Sequence, residues 1–202
     1  MAAHGCSEAQ LGSSQRRRDG NGLPDAYFRG LNFLLNEQPD KAIDAFIDVV
    51  KLDPETIELH FALGSLFRRR GETDRAIRMH RNLLERSDLA PEQRLQALAE
   101  LGQDYLKAGL LDRAEEAFAK LRDSPHRAVA LKSLLEIYQL EKDWSRAIET
   151  AQALAQDSGQ SWAKEIANYY CELGAIALAK PDLPAARAAL DEALAQNKRC
   201  VR

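Results

Sequence analysis

From Leu23 or Pro24 to the carboxyl end, apolar residues return at helical spacing, whereas residues 1–22 carry no apolar period. The pattern predicts two alternating sets of helices. The first set, A, is expected over about 24–36, 56–70, 92–108, 127–140 and 161–179. The second set, B, falls over about 40–51, 73–86, 111–121, 144–155 and 184–196. Gly71 and Gly109 occupy A-to-B turns, and Pro54, Pro91, Pro125 and Pro184 stand at helix starts, with longer connections at 86–92 and 156–161. Alanine and leucine dominate while Val, Thr and Ile are few, which favours helix over strand. The opening stretch of Gly, Ser, Asn and Arg16-Arg17-Arg18 is predicted to be a disordered lead or an expression remnant.

The helices repeat as pairs. Ala42, Ala76, Ala114, Ala147 and Ala186 are spaced 34, 38, 33 and 39 residues apart, four of them within Asp40-Lys41-Ala42-Ile43, Asp74-Arg75-Ala76-Ile77, Asp112-Arg113-Ala114-Glu115 and Ser145-Arg146-Ala147-Ile148. Twelve residues before each alanine stands Gly30, Gly64, Gly102, Leu135 or Gly174. Leu63-Gly64 with Phe67, and Leu101-Gly102 with Tyr105, Ala114 and Phe118, complete the pattern of the tetratricopeptide repeat, a pair of antiparallel helices. The expected fold is all-α, a solenoid of about five such pairs over 23–202, with repeats near 23–56, 57–94, 95–127, 128–166 and 167–202.

Small residues at a helix crossing let backbones approach to about 8–10 Å while larger side chains interlock around them. On that basis each glycine is expected to face the alanine twelve residues on, Gly102 against Ala114 for example. Leu135 stands where the other repeats have glycine, so the fourth pair is expected to sit wider or shifted.

The chain of 202 residues, 45% hydrophobic, can bury a substantial core as one array. It contains no run of about 18 apolar residues that would span a membrane. The amino end has no charged segment followed by an apolar core, so no secretory signal is expected. Cys6, Cys171 and Cys200 are widely separated and form no Cys-x-x-Cys pair, which argues for a reducing compartment and against bound metal in this stretch. Cys171, inside a helical pattern, is expected to be buried. The net charge is −3, and the first 22 residues carry +1, so the array is acidic, unlike a nucleic-acid binder. Arg68-Arg69-Arg70, near Arg75 and Arg78, is a local basic exception, either a solvated helix end or a contact for an acidic partner.

Catalytic constellations are absent from the text: no Gly-x-x-x-x-Gly-Lys loop, no Gly-x-Ser-x-Gly elbow and no His-Glu-x-x-His. The chain is not expected to be an enzyme. His4 lies in the lead and His126 in a loop after Pro125, while His60 and His80 share the second repeat, His80 at the place of a large aromatic ring. A packed or hydrogen-bonded role is expected for that pair. Trp144 and Trp162 open helices and are expected to anchor packing.

What remains is a concave surface lined by the A helices. The candidate partner-binding residues are Tyr27, Leu31 and Phe61 at an apolar end, then Arg68, Arg69, Gln103 and Lys107, then Glu136 and Asn168. Such a set suits an extended or helical protein segment with an acidic part. Arg68 and Arg69 are expected to lie outside the packed face, so that reversing both to Glu would leave folding intact.

A narrower resemblance rests on Gly30-Leu31-Asn32-Phe33, Leu63-Gly64 through Met79-His80, Gln93-Arg94, Asp104-Tyr105, Ala108 through Glu115, Trp144 near Arg146-Ala147-Ile148, and Tyr169 through Leu173. Over about residues 24–197 the chain resembles the lipopolysaccharide assembly protein B family of Gram-negative bacteria. The resemblance implies an adaptor with repeats on the cytoplasmic side of the inner membrane. Family members have an amino-terminal membrane anchor and a carboxyl-terminal rubredoxin-like module that holds zinc or iron. They promote destruction of the lipid A pathway deacetylase by a membrane-bound ATP-dependent metalloprotease, with a membrane-embedded regulator of the pathway as a further partner. This sequence lacks both the anchor and the Cys-x-x-Cys pairs, so a soluble fragment without cofactor is expected, the first five repeats of a longer protein. Self-association through the apolar surface around Leu190 and Leu194 is a further expectation. The alternative is a tetratricopeptide scaffold or chaperone cofactor for another assembly.

Overall fold

The computed structural model describes residues 25–52 and 56–199, and among them there are ten α-helices and no strand. The A helices are α1 (Asp25–Leu35), α3 (Ile57–Arg69), α5 (Pro91–Lys107), α7 (Arg127–Glu141) and α9 (Ala163–Ala179). The B helices are α2 (Pro39–Leu52), α4 (Thr73–Glu85), α6 (Leu111–Ala119), α8 (Trp144–Ser158) and α10 (Leu183–Gln196). Each helix packs on its neighbours in sequence, and α5 also touches α3 and α7, which sets those three A helices side by side. The chain is an all-α tetratricopeptide-repeat solenoid. The expected lead at 1–22, the start at Leu23 or Pro24, Pro54, His4, Cys6 and Cys200 lie outside the described residues.

The A-to-B turns explain the pitch of the repeat. Gly71 (φ 78°) and Gly109 (φ 74°) are left-handed, and Glu72 and Leu110 donate their N–H groups back to the carbonyls of Phe67 and Tyr105. These bonds satisfy carbonyls that the helix end would otherwise orphan. The first and fourth repeats make the same turn with Glu37 (φ 54°) and Lys142 (φ 58°), residues whose Cβ resists that conformation. Lys142→Gly is therefore expected to stabilise the array by about 1 kcal/mol, raising Tm by about 2–4 °C in a melt followed by circular dichroism.

At the crossings the structure corrects the expected register. A Cβ on Gly102 would lie 2.8 Å from Phe118 Cζ, and one on Gly30 would lie 2.5 Å from Phe46 Cε1. Each of these glycines makes room first for the ring sixteen residues on, while Gly174 meets both Leu190, sixteen on, at 3.2 Å and the carbonyl of Ala186, twelve on, at 3.5 Å. Gly64 makes room in the same way for the ring of His80. Ala42, Ala76 and Ala114 are fully buried beside these contacts because each precedes its ring by one turn of the same helix. The fourth repeat inverts the pair. Leu135 is buried and the residue sixteen on is Ala151, also buried, so the bulk has moved from the B helix to the A helix. A widened pair, as expected from Leu135 alone, overlooks that exchange.

Three core regions follow from this packing, the smallest formed by Leu83, Leu89 and Ala97. Phe46, Leu63 and Phe67 centre one on the first two repeats, and Phe118, Leu134 and Ile137 centre another on the third and fourth. Trp144 and Trp162 pack against the latter, Trp144 stacked on Tyr169 with centroids 5.8 Å apart. Cys171 departs from expectation. It is half-buried, because α9 and α10 leave a cavity there between Leu190 and Leu194, which are 40% and 49% exposed.

Candidate partner-binding groove

Because α3, α5 and α7 lie side by side, their last turns converge on a groove of about 390 Å³. Arg68 and Arg69 come from α3, Gln103, Leu106 and Lys107 from α5, Glu136 and Leu140 from α7. Five of the nine residues proposed from sequence thus meet in one place: Arg68, Arg69, Gln103, Lys107 and Glu136.

Arg69 and Lys107 are exposed and make no hydrogen bond or ion pair through their side chains among the described residues. They are cations available to a partner. Leu140 is 60% exposed and adds an apolar edge, while Glu136 is exposed on the same helix. Gln103 donates from Nε2 to Ser133 Oγ at 2.7 Å, which ties α5 to α7 across the groove floor.

Arg68 is different, and the structure corrects its expected role. One guanidinium nitrogen donates to Asp104 Oδ1 at 2.6 Å and the other to Glu100 Oε2 at 2.6 Å. Burial opposes the Arg68 charge, but its hydrogen bonds to the carboxylates of Glu100 and Asp104 and their negative charge outweigh that and hold the group above its ordinary value. Asp104 is fully buried and also meets Nδ1 of fully buried His80 at 2.5 Å. A tautomer with the proton on Nδ1 donates to the carboxylate and leaves Nε2, which has no partner, against Gly64. Arg68 is therefore a tie between the second and third repeats, and its reversal to Glu would set three carboxylates together. The expectation that folding survives that reversal does not hold.

The other sequence candidates lie elsewhere. Phe61 is half-buried against Leu83, Leu89 and Ala97, with its ring 6.0 Å from that of His80. Tyr27 is half-buried against Phe46 and Phe28, drawn into the first core by its apolar body. Leu31, 36% exposed, lies on α1, and half-buried Asn168 lies on α9, both outside the cluster. Asp104 and Glu100 were missed. The signal was His80 itself, since an imidazole at an aromatic core position requires a polar partner within reach.

The groove presents two cations beside apolar side chains. His80 and Asp104 form a histidine–carboxylate pair, but both are sealed from solvent. Among the described residues no group of three His, Cys, Asp or Glu side chains is placed to hold a metal. No helix among them is long and apolar enough to cross a membrane.

Comparison with known proteins agrees with this geometry. The tetratricopeptide repeat family profile matches residues 59–95. Among solved structures, MamA aligns with a TM-score of 0.61 at 19% identity, covering 86% of this chain and 91% of that one. The C-terminal part of a tetratricopeptide-repeat protein from Cytophaga hutchinsonii aligns with a TM-score of 0.60 at 18% identity, covering 89% and 71%. These likenesses speak to the fold alone. Lipopolysaccharide assembly protein B of Escherichia coli K12 is 44% identical over 203 residues, covering all of this chain and 52% of that protein. Its Haemophilus influenzae counterpart is 40% identical over 195 residues, covering 90% of this chain and 48% of that protein. The chain spans about half the length of these relatives. The chain is a tetratricopeptide-repeat array of the protein-interaction kind, all of which aligns with about half of lipopolysaccharide assembly protein B.

Proposed function

We propose that this chain is a non-enzymatic adaptor in the control of lipopolysaccharide synthesis, holding an acidic protein segment in the groove between α3, α5 and α7. The observation that carries the reading is the pair of unpartnered cations, Arg69 and Lys107, beside Leu106 and Leu140 in an otherwise acidic chain. A partner strand or helix that brings a carboxylate to the cations and an apolar side chain to the leucines would satisfy both sets. The deacetylase of the lipid A pathway is the proposed occupant. Delivery of that enzyme to a membrane-bound ATP-dependent metalloprotease, under a membrane-embedded regulator, would make occupancy of the groove set the rate of its destruction. The reading places the chain on the cytoplasmic face of the bacterial inner membrane and assigns it no cofactor.

The test is the double variant Arg69→Glu/Lys107→Glu. Both side chains are exposed and unpaired among the described residues, so the melt should be unchanged. An exposed ion pair contributes about 0–1 kcal/mol, and turning two attractions into repulsions should weaken deacetylase binding about tenfold in calorimetry. Salt should weaken the parent chain and barely affect the variant. Equal binding by the folded parent and variant would remove the groove from the contact.

A further inference from the structure

A second cavity, about 510 Å³, opens on the opposite set of helices, between α2 and α4. Ile47 and Val50 of α2 and Met79 of α4 form its half-buried walls, and Leu63 and Phe67 of α3 form its buried floor. None of its lining is shared with the groove. Two arginines stand at its edge in different states. Arg75 is spent: its guanidinium lies 3.9 Å from the centre of the Phe67 ring and donates to Glu72 Oε2 at 2.6 Å. Arg78, one turn away from Asp74, is exposed and makes no ion pair or hydrogen bond through its side chain among the described residues.

The next junction carries a different charge pattern at the same edge. In the cavity by α6, Arg113 occupies the place of Arg75, and Glu116 stands in the register of Arg78. An acid follows the arginine there and Lys120 follows the acid, so opposite charges alternate along one helix face. Between α2 and α4 the position of that acid is taken by a second cation, Arg78, beside the apolar walls. A carboxylate next to an apolar group complements that edge.

We infer that the cavity between α2 and α4 is a second docking site, which takes a partner segment carrying a large apolar side chain and an acidic residue within one helical turn of it. The apolar side chain enters between Val50 and Met79, and the carboxylate meets Arg78. The site acts independently of the groove, so the adaptor can hold two protein segments at once, one on each set of helices.

Met79 supplies the test, because the chain has only one other methionine, Met1. With ¹³C-methyl methionine, its signal reports the cavity wall directly. The probe is a capped helical peptide with one phenylalanine and one leucine four positions apart among glutamates and alanines, compared with its glutamine counterpart. A saturable shift of the Met79 signal is expected with the acidic peptide. It should weaken about tenfold in Arg78→Glu and stay unchanged in Arg69→Glu/Lys107→Glu, which separates this site from the groove. An equal shift with the glutamine peptide, or none with either, would overturn the proposal. So would a Met79 shift that follows chain concentration without peptide, which would make a second copy the occupant. A shift with anionic phosphatidylglycerol vesicles but not with peptide would likewise overturn it in favour of a membrane surface.

Discussion

Replacing Asp104 by alanine is expected to destabilise the array by about 3–5 kcal/mol, because it strips a buried carboxylate from two donors at once. Arg68 keeps Glu100, at the edge of solvent, but fully buried His80 keeps nothing, with Nε2 already unpartnered. At about 2–4 °C per kcal/mol, Tm should fall by about 6–20 °C. The first and third repeats point to a rescue, since they place Phe46 and Phe118 where the second has His80. His80→Phe in the Asp104→Ala background removes the stranded imidazole and should recover part of the loss, whereas His80→Phe alone leaves Asp104 bound to Arg68. A urea-denaturation cycle over the four proteins measures the coupling. A cost below about 1 kcal/mol for Asp104→Ala would mean that the network does not hold the second and third repeats together.

The inverted fourth repeat gives the other large effect. Leu135→Gly removes a buried side chain and adds a glycine to a helix interior, together costing about 3–6 kcal/mol. Ala151→Phe forces a ring into the space of a methyl group and should cost about 3 kcal/mol. The two together restore the arrangement of Gly30 with Phe46 and Gly102 with Phe118. The double variant should therefore be more stable than the sum of the single costs predicts, by about 2–3 kcal/mol. Simple additivity would show that Leu135 and Ala151 do not face each other.

These two predictions also mark where the sequence could be read and where it could not. Helix positions came out within a few residues because period, proline and glycine all act locally: Pro91 starts α5 and Gly71 ends α3 as expected. α8 runs on to Ser158, past the expected end near 155, because its stop is the left-handed Gly159 inside the connection expected at 156–161. Pairing across the crossing was harder. The glycine and the alanine both repeat, but only three-dimensional packing shows that the glycine yields to the ring one turn beyond the alanine. In the candidate site, residues at the ends of A helices were found because register alone brings Arg69, Gln103, Lys107 and Glu136 together. Arg68 was misjudged because its exposure depends on Asp104, a charged residue that no apolar pattern would place in the core.

The adaptor reading is tested most directly by photocrosslinking from the groove itself. Leu140, 60% exposed on its edge, is replaced by p-benzoylphenylalanine, and exposed Arg81 on α4 is replaced likewise as the control. Each folded protein is mixed with purified lipid A pathway deacetylase at a concentration where calorimetry shows binding, then irradiated. The account predicts a crosslink from position 140 that disappears in the Arg69→Glu/Lys107→Glu background, and none from position 81. Crosslinking from position 81 with none from position 140 would contradict it.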